Sequence, residues 1–174
     1  MQPEIEKSSR HSKITGDFAE GLVLYWLSKH GFECARVDHT GIDLIAKNPH
    51  KAERMGISVK ARSRSPGTEE TPIKINRSDV PKVRDACDAF GCVPYFAIVV
   101  DAGSAIRCFV LTMDYLVELS GDRQELGLGM RQKDVERYSN DERFIAFQFE
   151  SKTLRWWKPT ANPSLQPTPA SGRG

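Results

Sequence analysis

The run Tyr95-Phe96-Ala97-Ile98-Val99-Val100 constrains the fold of this chain more than any other stretch. Six nearly continuous apolar residues mark a central strand covered on both faces. Such a strand needs a layer above it and another below, so the chain has to build a layered sheet. The segment before it supplies one cover. Ser78-Asp79-Val80-Pro81 opens a helix with a cap and an early proline, Val83, Ala86, Cys87 and Phe90 mark its buried face, and Gly91 ends it. A strand reached through a helix crossover is expected to lie parallel to an earlier strand.

The earlier strands are short. Cys34 to Val37, Ile42 to Ala46 and Gly56 to Arg62 are separated by turn-like links, Asp38 to Gly41 and Asn48 to Lys51. Links of that length imply an antiparallel three-strand meander. Ahead of the meander, Thr15 is expected to cap a helix ending at Lys29-His30-Gly31, with Asp17 in its first turn. Phe18, Leu22, Tyr25 and Trp26 form the expected apolar face, widened by Ala19, Val23 and Leu27. After Val100, a strand is expected at Ile106 to Leu111, then a short helix capped by Thr112. A loop from Gly121 to Gly129, a strand at Phe144 to Phe149 and an edge strand at Leu154 to Trp157 complete the pattern. The reading is a mixed α/β (α+β) fold in one domain, residues 14–158, between a mobile N-terminus, 1–13, and a disordered tail, 159–174.

Net charge is only +2, so any nucleic-acid surface must be local. It is local: nine Lys or Arg against four Asp or Glu lie between Lys51 and Arg84. No apolar run approaches a membrane span, and the polar start lacks a signal-peptide core, so a cytoplasmic protein is expected. The four cysteines contain no C-x-x-C pair and read as reduced core thiols.

Two strands carry polar residues that a core strand disfavours. Asp43 precedes Leu44-Ile45-Ala46, and Ser58 and Lys60 alternate with Ile57 and Val59. Ser58 and Lys60 share one face because side chains alternate along a strand. Asp43 lies on the neighbouring strand, and the first helix can bring Glu20 over the same spot. Each residue also has a structural reading: Asp43 as a turn-ending acid, Lys60 as a snorkelling edge residue, Glu20 as a helix-dipole acid. Their convergence suits divalent-metal phosphodiester chemistry, because Mg²⁺ takes a few carboxylate oxygens plus the substrate phosphate.

Glu20, Gly41-Ile42-Asp43-Leu44 and Ser58-Val59-Lys60, in a helix, three strands, helix, strand order, resemble the PD-(D/E)xK nuclease superfamily. Gly16 to Glu20 followed by Gly31-Phe32 is most similar to its Holliday-junction resolvases and related restriction-type endonucleases. The resemblance covers about residues 14–101. It implies a restriction-endonuclease-like αβββαβ core that cleaves duplex or branched DNA with Mg²⁺ or Mn²⁺. Asp43 and Glu20 would be metal ligands, the Val59 carbonyl a third, and Lys60 would sit beside the attacking water. Two strands to cut make a homodimer one expected assembly. Ile42 replaces the family's proline. Ser58 stands where the family has Glu or Gln, so either Glu20 compensates or the chain is a nucleic-acid-binding module that has lost cleavage. Arg62 and Arg64, on the Lys60 face, are candidate phosphate contacts, with a solvated strand edge as the alternative. His39 is a candidate phosphate contact or general base, although a loop histidine is more often neither.

Overall fold

The structure, a computed structural model, describes residues 6–155. The chain runs α1 (His11–Lys29), β1 (Glu33–His39), β2 (Ile42–Lys47), β3 (Arg54–Ser63), β4 (Ile73–Asn76), α2 (Asp79–Phe90), β5 (Val93–Asp101) and β6 (Ala105–Thr112). It continues through α3 (Met113–Ser120), β7 (Glu125–Leu128), α4 (Gln132–Asn140) and β8 (Ile145–Glu150). Six strands form one sheet in the order β1-β2-β3-β5-β6-β8, and β4 pairs with β7 in a separate two-stranded sheet. The meander is antiparallel, and β5 lies parallel to β3 in unbroken register from Met55–Val93 to Ser63–Asp101. The mixed α/β architecture is therefore the expected one.

Every residue from Tyr95 to Val100 is buried, as a strand sandwiched between two layers requires. On one face, Ala19, Val23 and Leu27 of α1 pack on Leu44, Ile57, Ala97 and Val99. On the other, Val83, Ala86 and Cys87 of α2 pack with Phe96, Ile98 and the residues of α3, α4, β4 and β7. The helix faces obey the i, i+4 spacing of a 3.6-residue period.

Several expectations are corrected. α1 begins at His11, four residues before Thr15, because Thr15 hydrogen-bonds back to the His11 carbonyl (2.7 Å) instead of capping the helix. Asp17 consequently lies beyond the first turn, in an ion pair with Lys13 (2.9 Å). The buried stripe of α1 is Ala19, Val23 and Leu27, while Phe18 and Tyr25 face outward. Small Ala19 lets the helix sit close to the sheet. Trp26 instead reaches sideways and stacks on Phe147 of β8, with ring centroids 4.4 Å apart. Ser78 makes no side-chain cap bond; its own amide donates to the Asn76 side chain at 2.9 Å.

The stretch Gly121 to Gly129 holds β7, whose Leu126 and Leu128 pair across from Ile75 and Ile73. α4 carries no apolar face that its sequence would mark, since only Val135 and Tyr138 of it are buried. Residues 151–155 form no strand, and Trp156, Trp157 and the tail lie outside the described residues. Thr112 does cap α3, accepting from the Tyr115 amide (3.2 Å), and Gly91 does end α2 in the left-handed conformation. The four cysteines are free thiols.

Candidate active site

The site begins where β2 stops pairing with β3. The last paired residues are Leu44 and Ile57, so the next inward-facing amide of β3, that of Val59, has no backbone partner on that side. The Asp43 carboxylate takes its place, with Oδ2 accepting from the Val59 N–H at 2.6 Å. A buried amide needs a partner, and an acid one step beyond the ladder supplies it. Burial pushes the Asp43 carboxyl above its usual pKa, against the lowering effects of the Val59 N–H and the Lys60 charge.

Gly41 sets the position of the next element. Its φ is +106°, and a Cβ there would overlap the Lys82 carbonyl in the first turns of α2. Only glycine allows the β1–β2 turn to approach α2 this closely. The contact brings the start of α2 over β3. Asp43, Ser58, Val59 and Lys60 then share an open cleft of about 270 Å³ with Thr40, Gly41, Asp79, Lys82 and Val83.

Inside the cleft, Lys60 Nζ lies 2.9 Å from Asp79 Oδ2. Lys82 Nζ approaches the other Asp79 oxygen at 3.5 Å. Burial raises the Asp79 carboxyl, but the hydrogen bonds and charges of Lys60 and Lys82 outweigh it and hold the group below its usual range. Ser58 is only 3% exposed yet contributes to the cleft wall, and the described residues supply its hydroxyl with no hydrogen-bond partner.

Asp43, Ser58, Val59 and Lys60 therefore come together as their strand positions implied. Glu20 does not line the cleft. Its carboxylate lies 3.8 Å from Arg36 on β1, whose guanidinium also donates to the Asp17 carbonyl. Glu20 is still within the field of the site: burial raises its pKa, the Asp43 charge raises it further, and Arg36 opposes both. Arg64 is turned toward its own loop, donating to the carbonyls of Thr71 (2.7 Å) and Pro72 (3.2 Å). Arg62 is exposed and bonds its neighbour's carbonyl, Ala61 (2.7 Å). His39 bonds the Thr40 carbonyl (2.8 Å) and packs edge-on against Phe90.

Sequence reasoning missed Asp79 and Lys82. In the sequence Asp79 is part of a helix opening, and only its proximity to Lys60, nineteen positions earlier in the chain, places it in the cleft.

Among the described residues, no three His, Cys, Asp or Glu side chains form an all-protein metal cage. The donor set nevertheless fits Mg²⁺ or Mn²⁺, which keep waters and complete their shell with substrate phosphate. It offers two carboxylates, a strand carbonyl and a buried hydroxyl around one opening.

No family model matches the chain, and no curated protein matches it either. Among solved structures it is similar to a Holliday junction resolvase from the hyperthermophile Archaeoglobus fulgidus. The two are 21% identical with a TM-score of 0.50, over 66% of this chain and 83% of that one. A bacterial homing endonuclease is also similar, at 15% identity and a TM-score of 0.46, over 70% of this chain and 80% of that one. The likeness to the resolvase shows a common nuclease-like fold.

Proposed function

We propose that this chain is a metal-dependent DNA endonuclease of the PD-(D/E)xK type. The observation that carries the reading is the convergence of Asp43, the Val59 strand and Lys60 at one cleft, in the fold of a junction resolvase. Asp43 and the Val59 carbonyl would hold Mg²⁺ or Mn²⁺, with Glu20 adding negative potential from the side. When bound, the metal supplies Lewis-acid stabilisation of the phosphate and a more acidic bound water.

The chain's own groups do the rest. Asp43 already spends one oxygen on the Val59 amide, which fixes the carboxylate's orientation. Lys60, once its ammonium leaves Asp79, would orient the attacking water or the scissile phosphate. Lys82 at the cleft and exposed Arg62, two residues beyond Lys60 on β3, would contact flanking phosphates, which position the duplex without reading its sequence. Arg64 and His39 act through the loops they brace. Cleavage of both strands would be met by a homodimer.

Nicking of plasmid and of four-way-junction DNA in Mg²⁺ or Mn²⁺ tests the proposal, with Asp43→Ala and Lys60→Ala expected to abolish cleavage while remaining folded. Ser58, in place of an acid, motivates a second reading: a nucleic-acid-binding module without cleavage. Wild-type protein that binds DNA and never cuts it with any metal would establish that reading instead. Protein that does not bind DNA even at low salt would sink both.

A further inference from the structure

We propose that Asp79 is the second carboxylate of this site, standing in from α2 for the acid that β3 lacks at Ser58. The inference rests on the nuclease reading above and deepens it.

Two observations point to it independently. First, Ser58 is buried to within 3% of full enclosure, opens on the cleft, and leaves its hydroxyl without a protein partner among the described residues. A small polar side chain that opens on the cleft leaves room there that a Glu or Gln would fill. Second, Asp79 projects a carboxylate into the same cleft, 2.9 Å from the ammonium of Lys60. Lys60 lies two residues from Ser58 on the same strand face, and the carboxylate that meets Lys60 lines the same cleft as Ser58. Glu20 does not line the cleft and lies 3.8 Å from Arg36 instead.

The charge pattern explains how the arrangement persists without an ion. Asp43 and Asp79 face Lys60 and Lys82, two negative charges against two positive. Lys60 and Lys82 each engage one oxygen of Asp79, so the carboxylate stays ionised and aimed inward. With a divalent ion bound, Asp43 and Asp79 would hold it, and Lys60 and Lys82 would be free to face the negative charge of substrate phosphates. Asp79 thereby acts as a ligand in one state and as the holder of Lys60 in the other.

The test is Mn²⁺ binding to the full chain, followed by calorimetry and by the electron paramagnetic resonance of free Mn²⁺, with no DNA present. Asp79→Asn should weaken Mn²⁺ binding by about tenfold or more, in the range for loss of a coordinating or supporting acid. Ser58→Glu placed in the Asp79→Asn background should recover most of the affinity. Asp85→Asn, on the exposed side of α2, should change nothing, and circular dichroism checks that each variant folds. If Asp79→Asn binds Mn²⁺ as the wild type does, Asp79 only positions Lys60 and the proposal is overturned. Loss in Asp79→Asn that Ser58→Glu does not repair also overturns the stand-in role. Wild-type protein that binds no Mn²⁺ either alone or in the presence of four-way-junction DNA would instead refute the nuclease reading beneath it.

Discussion

Replacing Gly41 with alanine separates local strain from the architecture of the cleft. At φ +106° an L-residue is strained, by about 1–2 kcal/mol. The new Cβ also overlaps the Lys82 carbonyl, a backbone atom held within α2, so either the β1–β2 turn or the first turn of α2 has to move. Displacement of packed backbone adds about 1–3 kcal/mol. Together the two effects cost about 2–5 kcal/mol, roughly a 5–15 °C fall in Tm for a chain of this size. Gly67→Ala is the matched control: its φ is +85°, but nothing lies within 4 Å of its added Cβ. That variant should lose only the strain contribution. Thermal and urea denaturation of the two variants read the difference directly. Because α2 carries Asp79 and Lys82, Gly41→Ala should also weaken cleft function below its melting range, whereas Gly67→Ala should not. A Gly41→Ala protein that melts no lower than Gly67→Ala would refute the idea that this glycine seats α2 against the site.

Other consequences can be measured. Asp43→Asn keeps an oxygen to accept the Val59 amide and removes a charge whose folded-state pKa is raised by burial. A raised acid costs stability when ionised, and that cost fades as pH falls through the folded pKa; Asp43→Asn should therefore match or exceed wild-type Tm near neutral pH, the gap closing toward about pH 3, while cleavage is lost. An Asp43→Asn protein clearly less stable than wild type at neutral pH would contradict this. Leu27→Ala removes a fully buried side chain between α1 and the sheet and should cost about 2–5 kcal/mol by urea denaturation; a loss under about 1 kcal/mol would mean that α1 packs loosely. Burial pushes the Cys87 thiol up to about 11 and leaves Cys108 fully enclosed, so a thiol reagent should label Cys34 and Cys92 in native protein, and Cys87 and Cys108 only on unfolding.

Much of the frame is legible because it is local. Period-2 alternation puts Ser58 and Lys60 on one face of β3, and an unbroken apolar run identifies β5 as central; each follows from neighbours within six residues. Thr112 and Gly91 bound their helices through backbone chemistry that acts within one turn. What local pattern cannot supply is the partner of a short element. β4 alternates as Ile73-Lys74-Ile75-Asn76, but four residues make a strand only against β7, some fifty positions later. α1 could turn either of two apolar stripes to the sheet, and close packing chose the one with Ala19 over the one with Phe18 and Tyr25.

The same division runs through the site. The sequence alone determined that an acid at Asp43 and a lysine at Lys60 occupy adjacent strands, because strand pairing and alternation are short-range rules. Only the tertiary structure decided which further acid meets them. Glu20 meets Arg36 outside the cleft, and the close approach of Gly41 to α2 brings Asp79 to Lys60. A charge takes its partner from whatever the packed layers bring within a few ångströms, and that distance is set by the fold rather than by spacing along the chain.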